Sequence, residues 1–328
     1  MKKAMKKKTF VRSLALISLA LSSSTVLAET TLRFGHVLEV SHPLSLQYKQ
    51  VADEVAEATN GEVKIELFPA GTLGSQSELV EGLSLGTVDI TSPGSAFLGS
   101  IVPDLSVTSA PYVFRDMDHF ASFTQSDVME NLANQYHEET GNHILSVWYY
   151  GTRHLTANKP VHTPEDARGM KIRIPDASVY ALFPRSIGAN PTPIAFSEVY
   201  LGLQQGVVDG QENPLSVIQS HRFYEVQDNI VLTGHLIDNM MPVISGFAWD
   251  KLSEEQQQAV SDAFLKAAEE SIGIIQEEED TLKTAFIERG INVIEPDTDA
   301  FAEAARTYLT SNDMRWDQEL FQSIQDIQ

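Results

Sequence analysis

Residues Met170–Pro214 read MKIRIPDASVYALFPRSIGANPTPIAFSEVYLGLQQGVVDGQENP. A lone arginine, Arg173, stands in an otherwise apolar, strand-like run that Pro175 terminates. A buried cation is costly unless it meets an anion, so this residue asks for a negative partner. The pattern then predicts a helix, a bend stiffened by Pro191 and Pro193, a second helix, and a polar turn over Gly210–Pro214.

Working outward, Ile144–Tyr150 (ILSVWYY) reads as a strand, and Arg153 follows it after Gly151. That puts Arg153 at a strand's carboxyl end, where open α/β sheets gather their ligands. Two guanidiniums at neighbouring strand ends offer a forked donor array that matches a carboxylate. Asn213, in the predicted turn and held extended by the proline after it, could add an amide donor. Phe196, at the end of the proline-stiffened bend, supplies an apolar wall. The competing readings are structural. A strand arginine is commonly ion-paired, the 45 acidic residues offer many partners, and a turn asparagine commonly bonds its own backbone.

The rest of the chain alternates strand-like and helical runs. Thr31–Val37 and Val63–Phe68 bracket a helix from about Pro43 to Thr59, in which Leu44, Tyr48, Val51, Val55 and Ala58 recur at helical spacing. A helix over Gln76–Leu85 feeds a strand at Thr87–Thr91, and Pro242–Ala248 reads as another strand. From Ser253, whose partner Gln256 completes a capping box, one helix should run to Gly290, either as a strut across two domains or kinked near Gly273. This rhythm predicts an α/β fold with parallel sheets covered on both faces by helices. No linker separates the halves, as suits a chain that crosses more than once between two hinged domains.

Six basic residues (Lys2, Lys3, Lys6, Lys7, Lys8, Arg12), an apolar run from Leu14 to Leu21 and the small-residue end Val26-Leu27-Ala28 form a secretory signal peptide over 1–28. Its removal leaves 17 basic against 45 acidic residues, a net charge of −28, which repels nucleic acid and anionic lipid. With no cysteine there is neither disulfide nor thiolate metal site nor lipidated cysteine anchor. An exported, unanchored protein points to a Gram-negative periplasm.

Gly151-Thr152-Arg153, Thr163-Pro164-Glu165-Asp166, Lys171–Pro175, Gly188–Pro193, Phe196–Tyr200, Val208–Pro214 and Phe223–Gln227 together resemble the signature region of the periplasmic solute-binding proteins of tripartite ATP-independent (TRAP) transporters, the DctP family. The resemblance extends more weakly over the mature chain. It implies a two-lobe, type II-like periplasmic binding fold with one long helix spanning both lobes, closing on an organic acid that is passed to the small and large membrane subunits of a permease. It also implies that Arg173 grips the ligand carboxylate, assisted by Arg153 and Asn213. The expected lobes are 29–150 plus about 239–280, and 151–238 plus about 281–328, in a monomer without enzymatic activity, metal or cofactor.

Sialic-acid binders of this family carry an asparagine and two acids in the amino-terminal lobe where this chain aligns Val37, Gln76 and Gly94. The lobe offers instead His36, Glu39, His42, Gln76, Ser92 and Ser95, which suit hydroxyls; His36, Gln76 and Ser95 are the candidates chosen, with His154 beside Arg153. A sugar acid or other hydroxylated monocarboxylate is the expected ligand. The alternative is a periplasmic sensor or hydrolase on the same fold. Gly82-Leu83-Ser84-Leu85-Gly86 matches a nucleophile-elbow pattern, but its serine falls near the end of a helix rather than between strand and helix.

Overall fold

The computed structural model describes residues 29–312 and 314–328; the signal-peptide reading over 1–28 lies outside them. Among the described residues eleven strands are formed: β1 Thr30–Gly35, β2 Val63–Phe68, β3 Ile90–Thr91, β4 His143–Ile144, β5 Trp148–Ala157, β6 Lys171–Ile174, β7 Asn190–Pro193, β8 Gly210–Pro214, β9 Asn229–Met240, β10 Val243–Ile244 and β11 Asn292–Ile294. They make two sheets, one in the order β2-β1-β3-β10-β4 and one in the order β11-β9-β5-β8-β6-β7. Each sheet, with its helices, is one lobe.

Neither sheet is purely parallel. In the first, β1 runs parallel to β2 and β3, but β10 is antiparallel to both β3 and β4. In the second, β5 is antiparallel to β8 and β9, whereas β6 is parallel to β7 and β8. The expectation of parallel sheets therefore holds only in part, because β5 and β9 are long return strands joining the lobes. Trp148 at the start of β5 packs on Tyr48 and Phe264 in the first lobe, and Met240 at the end of β9 is bridged to Gly94.

Local signals explain the helices. Pro43 opens the first at a position where its missing N–H is no loss, and His42 caps it by accepting from Leu44 N. Leu44, Tyr48, Val51 and Val55 form its buried stripe. The long helix runs unbroken from Glu254 to Glu288, 35 residues, so no break occurs at Gly273. At 1.5 Å per residue it spans about 52 Å. Ser253 and Gln256 close its capping box in both directions. It packs on the helix Pro43–Ala58 in one lobe and on β5, β11 and the helix Leu215–Ser220 in the other. No helix among the described residues is long and apolar enough to cross a membrane.

Three local expectations need correction. Ile144–Tyr150 is split between β4 and β5, so Arg153 lies inside a ten-residue strand rather than beyond a strand's end. Gly210–Pro214 is a strand, not a turn: its register with β5 gives the Asn-Pro sequence a ladder partner. Only Val243–Ile244 of Pro242–Ala248 is strand, and Ser245 then caps a short helix, Gly246–Trp249. The tail after 313 does not stay beside the second sheet. Arg115 donates to Gln325 O and Ile327 O, and Asp317 N donates to Asp104.

Candidate functional site

Between the lobes lies a cleft of about 1000 Å³ whose walls include Val37, Glu39 and Glu78 on one side and Phe196, Tyr200 and His221 on the other. At its root is a recess of about 180 Å³ lined by Gln76, Phe97, Arg173 and Phe196. A smaller inner chamber of about 20 Å³ shares Gln76, Arg173 and Phe196 with it, and adds Arg153, Asn213, Tyr150, Tyr180, Asp238, Val37 and Gly94. A second large groove, about 830 Å³ between the first and the long helix, is lined by Glu54, Glu57, Glu254, Glu255 and Asp262 with Lys266 as its cation. That surface repels an anion.

Arg173 projects from β6, where it pairs with Thr192 of β7 and Gln211 of β8. Its Nε and Nη2 both donate to Ile194 O, at 3.0 and 2.7 Å, a carbonyl that the proline-stiffened bend brings under the guanidinium. Nη1 is buried without a hydrogen-bond partner. The side chain is 2% exposed and sits 5.6 Å above the Phe196 ring. Burial lowers its pKa to about 10, with Glu212 opposing and Arg153 reinforcing the shift, so it is still a cation at neutral pH.

Arg153 is equally buried but differently placed. Its Nε and Nη2 donate to the Glu212 carboxylate, Nη2 also reaches Glu212 O at 2.7 Å, and Nη1 reaches Asp238 Oδ2 at 2.8 Å. Burial works against its charge, but Glu212 and Asp238 outweigh it and hold the pKa above its ordinary value. Glu212 is held below the usual carboxylate range because burial is outweighed by Arg153 and His235, whereas burial keeps Asp238 above it. The two guanidiniums expected to act together line one chamber but are unequally occupied. Every nitrogen of Arg153 is bonded, chiefly to acids, whereas Arg173 leaves its Nη1 amino group unbonded.

Arg153 owes its position to a bulge. The β5–β9 register shifts between Tyr149 and Gly151, and Gly151 takes φ +128°, with Pro214 so close that a Cβ would meet it at 2.6 Å. Such a bulge re-aims the side chains that follow it. Glu279 of the long helix holds it there, accepting from Thr152 N at 2.6 Å and Tyr149 Oη at 2.7 Å.

Among the other sequence candidates, Asn213, Phe196 and Gln76 line the inner chamber. Asn213 Nδ2 donates to Gln211 Oε1 at 2.6 Å, and Gln76 Oε1 accepts from Gly94 N at 3.0 Å. His36, Ser95 and His154 do not line it. His36 is packed between the Phe34 and Tyr48 rings with neither ring nitrogen bonded, and burial lowers its pKa to about 4. Ser95 bonds Ser109 and Thr108 in the core. His154 accepts from Gly234 N, and burial lowers its pKa to about 3. Ser84 is exposed on the helix Gln76–Leu85, with no strand leading into it. Tyr180, Asp238 and Glu212 were missed as site residues. The lone aspartate in the largely apolar run Ile230–Met240 was the available signal.

The sequence matches the profile of the bacterial extracellular solute-binding protein family 7, DctP, over residues 34–312. It is 36% identical over 292 residues to the sialic acid-binding periplasmic protein SiaP of Vibrio cholerae, covering 89% of this chain and 91% of that one. The fold superposes on a TRAP periplasmic solute-binding protein of Bordetella bronchiseptica, with density assigned to pantoate, at a TM-score of 0.87 and 32% identity, covering 92% of this chain and all of that one. A homologue from Roseobacter denitrificans with bound L-galactonate matches at a TM-score of 0.85 and 32% identity over 92% of this chain and 99% of its own. Profile, relatives and fold agree: the chain belongs to the DctP family, the periplasmic solute-binding proteins of TRAP transporters.

Proposed function

We propose that this chain captures a hydroxylated organic monocarboxylate in the interlobe cleft and delivers it to a TRAP permease of small and large membrane subunits. The observation that carries the reading is the buried, unpartnered Nη1 of Arg173. A desolvated cation with an unbonded amino group is an incomplete hydrogen-bonding site, and a carboxylate completes it with a charge-assisted bond. Asn213 and Gln76 serve as polar contacts, Phe196 as the apolar wall, and Arg153 fixes the acid cluster behind the site. The lobes move about β5 and β9, with boundaries near 150 and 239, and the protein works as an exported periplasmic monomer after losing residues 1–28. Relatives that bind sialic acid or carry L-galactonate support an organic acid as the class of ligand.

A thermal-shift screen against aldonates, uronates, branched hydroxy acids and dicarboxylates tests the reading. An acid present at a hundredfold excess over its Kd stabilises the fold by about 2.7 kcal/mol. If no carboxylate in the screen raises the melting temperature, the reading is wrong.

A further inference from the structure

Part of the chamber wall is built by residues that grip no carboxylate. Gly94 has φ −63° and ψ 146°, a conformation open to any residue, so its glycine is required by space alone. A Cβ added there would stand 2.8 Å from Tyr180 Oη, while its next neighbours, Asn239 O and Phe97 Cδ2, lie at an ordinary 3.7 and 3.9 Å. Tyr180 belongs to the second lobe, in the segment Ser178–Ala181 between β6 and β7, whereas Gly94 follows β3 of the first. Their contact therefore joins the lobes.

Tyr180 is held firmly where it meets Gly94. The Arg153 guanidinium lies 5.0 Å over its ring, Phe97 packs at 6.4 Å, and its hydroxyl donates to Asp238 at 3.4 Å. Around this contact the first lobe presents Val37, Gln76 and Gly94, none of them charged. Arg153 is already engaged by Glu212 and Asp238, so a second anionic group on a ligand would meet carboxylates rather than a free cation.

We propose that the seating of Tyr180 against Gly94 is a specificity gate of the carboxylate site, admitting acids with one ionised group and a compact neutral body, and excluding dicarboxylates and sialic acid. The proposal rests on the carboxylate-receptor reading above. A side chain at position 94 blocks closure by holding Tyr180 off its seat. Removing the Tyr180 hydroxyl makes room for it again, because every other neighbour of that Cβ is at normal contact distance.

The experiment is calorimetric titration of the full-length mature chain with pantoate, L-galactonate, succinate and sialic acid, melting curves serving to confirm folding. Pantoate or L-galactonate is expected to bind, with succinate and sialic acid weaker than it by about tenfold or more. Gly94→Ala is expected to weaken the bound acid about tenfold through overpacking, and adding Tyr180→Phe to the Gly94→Ala chain to recover most of that loss. Unchanged affinity in folded Gly94→Ala, failure of Tyr180→Phe to restore a loss, or succinate or sialic acid binding as tightly as the better monocarboxylate overturns the gate alone. If none of the four acids binds the wild type, the gate falls, and the receptor reading falls with it only when the wider carboxylate screen is also blank.

Discussion

Arg153 and Arg173 lie twenty residues apart on strands of one sheet, and both are 2% exposed, yet they do opposite things. Arg153 meets Glu212 and Asp238 and is locked into the fold. Arg173 meets one carbonyl with two of its nitrogens and leaves the third free. The role of a buried cation is thus set by which acids its neighbours supply. In the proposed reading the acid-paired arginine is structural and the incompletely paired one anchors the ligand. The acid-paired one still serves the site, since it positions Tyr180 and the acid cluster beside the chamber.

The largest expected break in that comparison comes from unbalancing Arg153. Glu212→Gln leaves it with Asp238 as its one anionic partner and should destabilise the fold by about 3 kcal/mol, measured by urea denaturation. The unfolding midpoint of Arg173→Met, by contrast, should stay level or rise without ligand, because an incompletely paired buried cation is replaced by a hydrophobe of similar length. If both changes destabilise equally, the two arginines are not different in kind. In binding, Arg173→Lys should weaken the preferred acid roughly a hundredfold, since an ammonium cannot hold Ile194 O and a carboxylate in one plane.

Glu279 sharpens the comparison from the side of Arg153. Burial pushes its carboxyl up to about 7 from 4.5, despite the bonds from Tyr149 and Thr152 that oppose the shift. Between those values the folded state holds a proton that the unfolded chain has released. Glu279 therefore makes stability fall as pH rises from about 4.5 to about 7, by about 3 kcal/mol. Glu279→Gln should flatten that fall; an unaltered pH profile would show that the carboxyl does not titrate there. The smallest effect is expected from Asn213→Ala, which removes one polar contact and should weaken binding by about 1 kcal/mol in calorimetry.

What was legible in the sequence was local. The strand Val63–Phe68, the helix Gln76–Leu85 and the capping box at Ser253 depend on a few adjacent residues, and they fall where periodicity and capping chemistry put them. The pairing of Arg153 was not legible, since its acids lie 59 and 85 residues away and meet it only through the register of β5 with β8 and β9. The composition of Gly210–Pro214 imitates a turn, because a strand that carries a buried site is rich in Gln, Glu and Asn. β9 escaped notice for the same reason: His235, Asp238 and Asn239 interrupt its apolar pattern and serve the cluster instead. His36 and His154 drew attention as polar groups beside the expected site, but packing is a tertiary property: His36 is enclosed by the Phe34 and Tyr48 rings and His154 is turned to Gly234 N, so neither lines the chamber.

The central claim, that Arg173 and not Arg153 receives the ligand's carboxylate, is tested most directly by a crystal structure with the tightest-binding acid. The account predicts a carboxylate oxygen about 2.8 Å from Arg173 Nη1, with Arg153 still held by Glu212 and Asp238. A carboxylate bound to Arg153 in place of one of those acids, with Arg173 Nη1 left empty, would contradict it.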